Sequence, residues 1–337
     1  MATYEHLKLE KGLYTTGKSF TEALEQLDPS ENYVGTALEG LDAYQRQLKR
    51  FDIRVSGKGS DMVEKFFQST DSAALFPEYV SRAVSAGMEE NDILPKLIAT
   101  TTQIDGMDYR TVTSLPSEEG TAFAAVAERA NIPETVVAAQ GSLVNLQKRG
   151  RLLSASYETL RFQRLDLFTV ILRQIGAYIA KARVQDAVNV LINGDGNENP
   201  AANTVVATAN TLSYNDLVNF WNSFDPYTLN TIVASPSMMA AILKLQELRD
   251  GTSGLAFHGT GSMITPFGAD LLKHSAVTGG LLIGLDKTCA LEMVQAGGVL
   301  TEFDKLIDRQ LERAAITTIY GFAKLFNGAS KTLSLTA

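Results

Sequence analysis

A chain of 337 residues, 45% hydrophobic and 20% charged, has length for about two domains and apolar material for a sizeable core. Its net charge of -8 and pI of about 5.1 exclude a dedicated nucleic-acid binder, which presents a basic face; a container enclosing nucleic acid is not excluded. A single cysteine, Cys289, rules out an internal disulfide framework and implies folding in a reducing compartment; in the run Thr288-Cys289-Ala290-Leu291 it reads as a small buried hydrophobe.

The start, Met1-Ala2-Thr3-Tyr4-Glu5-His6, lacks the basic-then-apolar pattern of a signal peptide. No stretch approaches the 18 or so apolar residues of a membrane helix. The expectation is a soluble protein made in a cytoplasm.

The first 60 residues are polar and loosely patterned, more an arm than a domain. Ser19-Phe20-Thr21-Glu22 has capping-box spacing, and Ala23, Leu24 and Leu27 give a short helix one apolar edge before Asp28-Pro29 stops it. Leu38 to Phe51 is weakly helical. A third helix is predicted from Ser60, carrying Met62, Val63, Phe66 and Phe67. A fourth opens near Pro77, with Tyr79, Val80, Ala83 and Val84 on its apolar side. Two strand-like runs follow, Leu97 to Ile104 and Tyr109 to Val112, with Asp105-Gly106-Met107-Asp108 as the turn between them.

Residues 114 to 142 are rich in Ala, Glu, Ser and Gly and poor in large apolar residues; a strand-like run, Ser142 to Ser156, then returns the chain. So long an excursion is uncommon inside a compact domain, and a two-stranded ribbon alone is marginal in water. Something else must hold it: its own domain or a neighbouring subunit.

The strongest helix runs from about Leu165 to Ile192. Phe168, Ile171, Leu172, Ile175, Ile179 and Ala182 follow the 3.6-residue period, and Ala187, Val188 and Leu191 continue it. Arg164, Arg173, Lys181, Arg183 and Asp186 fall mainly on the other side. Such a helix spans roughly 40 Å and is the spine of the fold. Asn193-Gly194-Asp195-Gly196 ends it, with Gly194 suited to a left-handed cap. A helix from Tyr214 to Phe224 is capped by Ser213. Strand Thr231-Ile232-Val233-Ala234 leads into Ser235-Pro236, an N-cap with proline at the first helical position. After a Gly- and Ser-rich loop at 249 to 263, strands are predicted at Gly280 to Gly284, Ala290 to Val294, Val299 to Phe303, Ala314 to Phe326 and Lys331 to Leu335, with Asn327-Gly328 as a turn. The class is α+β.

No catalytic constellation survives inspection. His6, His258 and His274 are far apart and lack metal-ligand neighbours. Gly57-Lys58-Gly59-Ser60 resembles a phosphate loop, but Asp52 stands where the first glycine belongs. Asp195, Asn197 and Asn199 have calcium-loop spacing, but Pro200 and Val206 replace the required glycine and glutamate. Gly259-Thr260-Gly261-Ser262 joins no strand to a helix. Ser142, Ser154 and Ser156 lack a nucleophile elbow. The acid pairs Glu89-Glu90 and Glu118-Glu119 read as solvated surface. The basic cluster Lys148, Arg149, Arg151 either pairs with acids on another chain or is a solvated face. No cofactor or metal is expected, and the protein is not expected to be an enzyme.

The order arm, long polar ribbon, spine helix, α/β block, return strand resembles the tailed-bacteriophage major capsid protein of the Hong Kong 97-type fold. Val190-Leu191-Ile192-Asn193-Gly194-Asp195-Gly196 is similar to that family's spine-helix ending. Thr231 to Pro236 resembles the strand and proline-led helix of its axial domain. Asp308-Arg309, the Ala314 to Phe326 strand and Asn327-Gly328 resemble its return into the peripheral domain. The resemblance covers roughly residues 75 to 335.

It implies an N-arm over residues 1–97, with a short scaffold-like segment at 1–60. It further implies an extended E-loop over 98–155, a peripheral domain over 156–203 and 299–337, and an axial domain over 204–298. The implied function is a structural subunit that self-assembles into pentamers and hexamers, forming an icosahedral shell around double-stranded DNA without sequence-specific contacts. Implied partners are further copies, a portal, scaffolding and decoration proteins, and no membrane. The implied location is the virion, after assembly in the bacterial host cytoplasm. Candidate assembly residues are Lys148, Arg149 and Arg151 on the E-loop, and Gly194, Asp195 and Gly196 at the spine-helix end. The lysine-to-asparagine crosslink of some members is not expected, because Lys148 is the only lysine between residues 97 and 180 and Gln310 stands near Asp308. The alternatives are an encapsulin-like compartment shell around a cargo enzyme and, remotely, an enzyme with a dispersed site.

Overall fold

A computed structural model of the protein describes residues 4–9, 13, 20–90, 92–114, 128–129, 137–156, 158, 162–196, 199–249, 267–306 and 311–335. Its helices are α1 (Phe20–Leu27), α2 (Ala43–Arg50), α3 (Thr70–Ala73), α4 (Phe76–Glu90), α5 (Leu165–Asn193), α6 (Tyr214–Asn222), α7 (Pro236–Lys244) and α8 (Gln246–Arg249). Its strands are β1 (Thr100–Ile104), β2 (Val112–Ser114), β3 (Val137–Ala139), β4 (Gln147–Ser156), β5 (Asn203–Val206), β6 (Thr231–Ala234), β7 (Asp270–Lys273), β8 (Leu281–Leu285), β9 (Leu291–Ala296), β10 (Leu300–Leu306), β11 (Leu311–Lys324) and β12 (Ser330–Ser334). The expected α+β class is what forms. The chain divides into two units: residues 1–92, 148–181 and 297–319, and residues 93–147, 182–296 and 320–337. Helix α5 and strand β11 each contribute to both.

In the first unit, the segment expected to be an arm supplies much of the core. Phe20 and Leu24 of α1, Tyr44 and Leu48 of α2, and Val63 and Phe66 pack with Leu75, Tyr79, Val80 and Val84 around Leu165, Leu172 and Ile175 of α5. The predicted helix at Ser60 is a 3-10 helix, Val63–Gln68. An aspartate caps α2 reciprocally: Asp42 accepts from Gln45 N while the Gln45 side chain accepts from Asp42 N. Arg46 and Asp28 form a fully buried ion pair at 2.9 Å, and the Arg46 guanidinium lies 4.3 Å from the Tyr33 ring centre. Helices α4 and α5 cross on glycines; a Cβ on Gly87 would lie 2.1 Å from Arg173 O, and one on Gly176 2.1 Å from Val84 O. Strand β10 pairs antiparallel with β11, from Leu300 opposite Thr317 to Leu306 opposite Leu311, and β4 also pairs with β11.

The second unit holds two sheet regions. In one, β9 pairs antiparallel with β11, Leu291 opposite Lys324, and parallel with β1, Glu292 opposite Thr100. The other has strand order β5-β12-β8-β6-β7. Strands β6 and β8 are apolar and almost wholly buried, as strands covered on both faces must be. One core joins Val184, Ala187, Val188 and Leu191 of α5 to Ile283, Leu291, Met293 and Phe322. A second joins Phe220 of α6 and Met238 and Ile242 of α7 to Ile232, Leu271 and Leu282. The predicted caps form: Ser213 accepts from Asp216 N, Ser235 accepts from Met238 N, and Gly194 has φ +90.

Several expectations need correction. The turn at Asp105-Gly106 closes no hairpin: β1 pairs with β9, while the run after Tyr109 becomes β2 and pairs with β3, Val112 opposite Ala139. Ile171, expected in the core, is half exposed. Arg183, expected outward, is buried, its guanidinium 5.4 Å from the Tyr320 ring centre, and Asp186 accepts from Tyr320 OH at 2.7 Å. The period is right in each case; polarity alone misjudges which side meets the core.

Candidate functional site: the spine-helix face and the ribbon root

The first part of α5 is apolar on both sides. One side buries Leu165, Leu172, Ile175 and Ala180. Centred about 150° further round the helix, Leu167 (54% exposed), Val170 (60%), Ile171 (50%) and Tyr178 (51%) face outward. A helix that is hydrophobic all round normally has neighbours all round, and a contiguous exposed apolar stripe marks an interaction surface. An apolar groove of about 300 Å³ adjoins it, lined by Phe76, Val80, Leu153, Phe168, Ile171 and Ile175, with Arg313 at its edge. Positive charge borders the stripe. Arg173 pairs with Glu90 at 3.1 Å, and Arg151 of β4 stands 5.8 Å from the Tyr178 ring centre, within cation–π range. Lys148, Arg149 and Arg151 are all exposed on β4.

In the second unit, buried polar groups hold the root of the β2/β3 ribbon. Glu292 of β9 is 3% exposed. Its carboxylate accepts from Thr102 Oγ1 at 2.5 Å, Tyr109 OH at 2.8 Å and Thr111 Oγ1. Burial, and then the hydrogen bond to Glu292, push the Tyr109 phenol above its usual pKa. On the returning leg, Gln140 N donates to Thr111 O at 2.8 Å and Gln140 Nε2 to Lys324 O at 3.1 Å. Asn199 Nδ2 donates to Gln140 Oε1 at 3.2 Å, to Asp195 Oδ2 at 2.7 Å and to Lys324 O at 2.9 Å. Lys324 N donates to Asp195 Oδ2 at 3.0 Å. Lys324 Nζ donates to Pro200 O at 3.0 Å, and burial pulls its amine below the usual range against the opposing pull of Asp195.

The candidate residues at the helix end therefore divide. Gly194 allows a close approach, since a Cβ there would lie 2.7 Å from Asn199 O. Asp195 is buried and engaged within its own chain, and Gly196 is exposed. Glu292, Gln140 and Lys324 were not foreseen; a lone charge inside an apolar strand, as in Leu291-Glu292-Met293-Val294, was the available signal.

Among the described residues no group of three His, Cys, Asp or Glu side chains could hold a metal ion, and no helix is long and apolar enough to cross a membrane. His6 is exposed, and His274 Nδ1 accepts from Ala276 N at 3.1 Å. Cys289 is half-buried, and burial, then Asp286, raise its thiol pKa. The sequences at Glu118-Glu119, His258, Gly259 to Ser262, Asn197 and Asp308 to Gln310 lie outside the described residues.

Residues 139–301 match the model of a family described as phage capsid protein. No curated protein matches the sequence. Among solved structures, the virus-like particle from Pyrococcus furiosus is similar over 76% of this chain and 98% of its own, at 14% identity and a TM-score of 0.53. The capsid of the native GTA particle is similar over 76% and 91%, at 14% identity and 0.53. Microbacterium phage Oxtober96 gives 73% and 91%, at 10% identity and 0.52. The fold is that of the Hong Kong 97-type capsid proteins. The family match covers just under half of the chain, residues 139–301, and together with the fold it supports the class of structural capsid-shell proteins.

Proposed function

We propose that this chain is the major shell subunit of a tailed-phage head, assembling as pentamers and hexamers into an icosahedral shell around double-stranded DNA, with no catalytic role. Portal and scaffolding proteins are its expected partners, and the host cytoplasm its place of assembly. Within this reading, residues up to 97 form the N-arm and 98–155 the E-loop. Residues 156–203 and 299–337 form the peripheral domain, and 204–298 the axial domain.

The observation that carries the reading is the outward apolar face of α5, Leu167, Val170, Ile171 and Tyr178. Its charge says how copies meet. Residues 148–181 hold seven bases and two acids, whereas residues 114–136 hold four acids, Glu118, Glu119, Glu128 and Glu134, and one base, Arg129. Like charge disfavours a contact of the basic face with itself; the acidic ribbon sequence of a second copy is its complement. A contact between two different surfaces is heterologous, and heterologous contacts form rings where the rotation between copies closes. On this reading Lys148, Arg149 and Arg151 act in assembly by pairing with acids of a neighbour, and of the helix-end residues only Gly196 is offered for such a contact.

The test is Val170→Asp. Because Val170 is exposed, the substitution should change subunit stability by no more than about 0.5 kcal/mol. It should abolish the rings and shells that electron microscopy and sedimentation find for the parent protein. Shells formed normally by V170D would remove this face from the interface; a parent protein that never assembles, even with a scaffolding protein, would sink the shell reading.

A further inference from the structure

We propose that Glu292 is a positioning residue: it fixes the direction in which the β2/β3 ribbon leaves its own sheet and thereby the geometry in which copies assemble. The assembly half of this statement rests on the shell reading above; the fixing of the ribbon does not.

The argument starts from cost. A buried carboxylate is expensive unless it is fully hydrogen-bonded, and Glu292 accepts from the neutral hydroxyls of Thr102, Tyr109 and Thr111. Those hydroxyls could have been satisfied by backbone carbonyls or water. An apolar residue, like its strand neighbours Leu291, Met293 and Val294, could have filled the site. What a carboxylate offers instead is several acceptor positions in one plane. Here three are used by residues 102, 109 and 111, so a single side chain gathers the outgoing leg of the ribbon over ten residues and ties it to β9.

The returning leg has a separate fastening. Gln140 reaches Lys324 O, and Lys324 lies beside Ala323, the residue opposite Glu292 in the β9/β11 register. The two legs are thus pinned at adjacent positions of neighbouring strands. Around these pins Val144, Val294 and Ala323 form a small apolar cluster with Ile104, Tyr109 and Leu146. Two pins define a direction, whereas one pin permits rotation.

The experiment compares Glu292→Ala, Glu292→Gln and the parent by amide hydrogen exchange on unassembled subunits and by electron microscopy after assembly. In E292A, exchange across residues 100–114 should rise at least about 10-fold while the β5-β12-β8-β6-β7 sheet is unchanged, and uniform shells should give way to open or mixed-size particles. E292Q keeps one acceptor oxygen for Thr102 and Tyr109, and the Thr111 hydroxyl can turn to accept from the new amide NH2, so exchange should stay within about 3-fold of the parent. Unchanged exchange in E292A, or a rise spread equally over the whole unit, would reduce Glu292 to an ordinary core group and overturn the proposal. Faster local exchange with uniform shells of parental size would overturn its assembly half. If E292A does not fold, Tyr109→Phe with Thr111→Val removes two of the three donors and is judged by the same readouts. A parent protein that forms no shells would fail the shell reading alone, because the exchange data still decide whether Glu292 holds the ribbon.

Discussion

Replacing Gly87 by alanine sets two effects against each other in a way that fixes the sign of the result. Alanine favours a helix over glycine by about 1 kcal/mol, so propensity alone predicts a more stable protein. Against this, the new Cβ would lie 2.1 Å from Arg173 O and 2.5 Å from Arg173 Cα, where ordinary contact begins near 3.4 Å. Both obstacles are backbone and cannot rotate away, so α4 and α5 must part by about 1.3 Å. A gap of about 0.5–1 Å already forfeits a quarter to a half of each contact across it. Val80, Val84 and Met88 on α4 and Leu172 and Ile175 on α5 belong to this packed core, each worth about 1.5–3 kcal/mol when buried. Losing a modest fraction of that packing, with the strain of overfilling, costs about 3 kcal/mol. The net expectation is destabilisation by about 2 kcal/mol, or a melting temperature lower by about 4–8 °C. Gly176→Ala, whose Cβ would meet Val84 O at 2.1 Å, should behave alike. The assay is urea and thermal unfolding in a Val170→Asp background, which keeps subunits apart. A neutral or stabilised G87A would refute the claim that the two backbones touch.

Two more substitutions probe buried charge. Burial disfavours ionisation of Asp216, but hydrogen bonds from Ser213 and Thr208 outweigh it and lower the carboxyl from 3.8 to about 2. A depressed carboxyl stabilises the fold above its unfolded pKa, and that stability fades as pH falls through 4 towards 2. The amount is about 2 kcal/mol, so Asp216→Asn should lower stability at pH 7 and flatten the acid limb of a pH–stability curve; an acid limb of unchanged depth in D216N would show that other carboxylates carry it. Arg46→Met leaves the fully buried Asp28 without its cation and should cost about 3–5 kcal/mol in urea unfolding, most of it recovered by adding Asp28→Leu; a loss under about 1 kcal/mol would mean the pair is hydrated or dispensable.

What the sequence discloses follows from the range of the forces involved. The caps at Ser213 and Ser235 and the left-handed Gly194 are local, each set by a side chain and backbone within four residues, and they form as read. So does α5, whose period persists over eight turns. The partner of β1 was out of reach, because Thr102 and Glu292 are 190 residues apart and nothing local distinguishes a strand closing a hairpin from one joining a distant parallel neighbour. Asp105-Gly106 is a sound turn signal with no information about what lies across it. Residues 20 to 66 read as an arm because their apolar residues are sparse, yet Phe20, Leu24 and Phe66 are wholly buried; a few large side chains suffice where a long helix already supplies the rest of the core. The ribbon root was illegible for a different reason: Glu292 and Gln140 act through partners from four separate stretches of chain.

The misjudged side of α5 is the more instructive failure. Reading a helix from its apolar period assumes one destination for apolar residues, the core of the same chain. Leu165, Leu172 and Ile175 obey it, and Leu167, Val170 and Ile171 do not. Their mean directions lie about 130° apart at 100° per residue, too wide for one buried side to take both, with Ile171 at the border beside Ile175. The sequence therefore already contains a second apolar face, and in a chain with a net charge of -8 that face is flanked by bases. A monomer gains nothing from such an arrangement and risks nonspecific aggregation. A subunit gains contact area from the apolar stripe, and orientation from the charge, because a basic face refuses its own kind and accepts an acidic one. Under the proposed shell function, polar groups at the ribbon root complete the division of labour: directional bonds hold the chain to itself where an angle must be kept, and undirected apolar contact is left for the neighbour, where many copies must find the same fit.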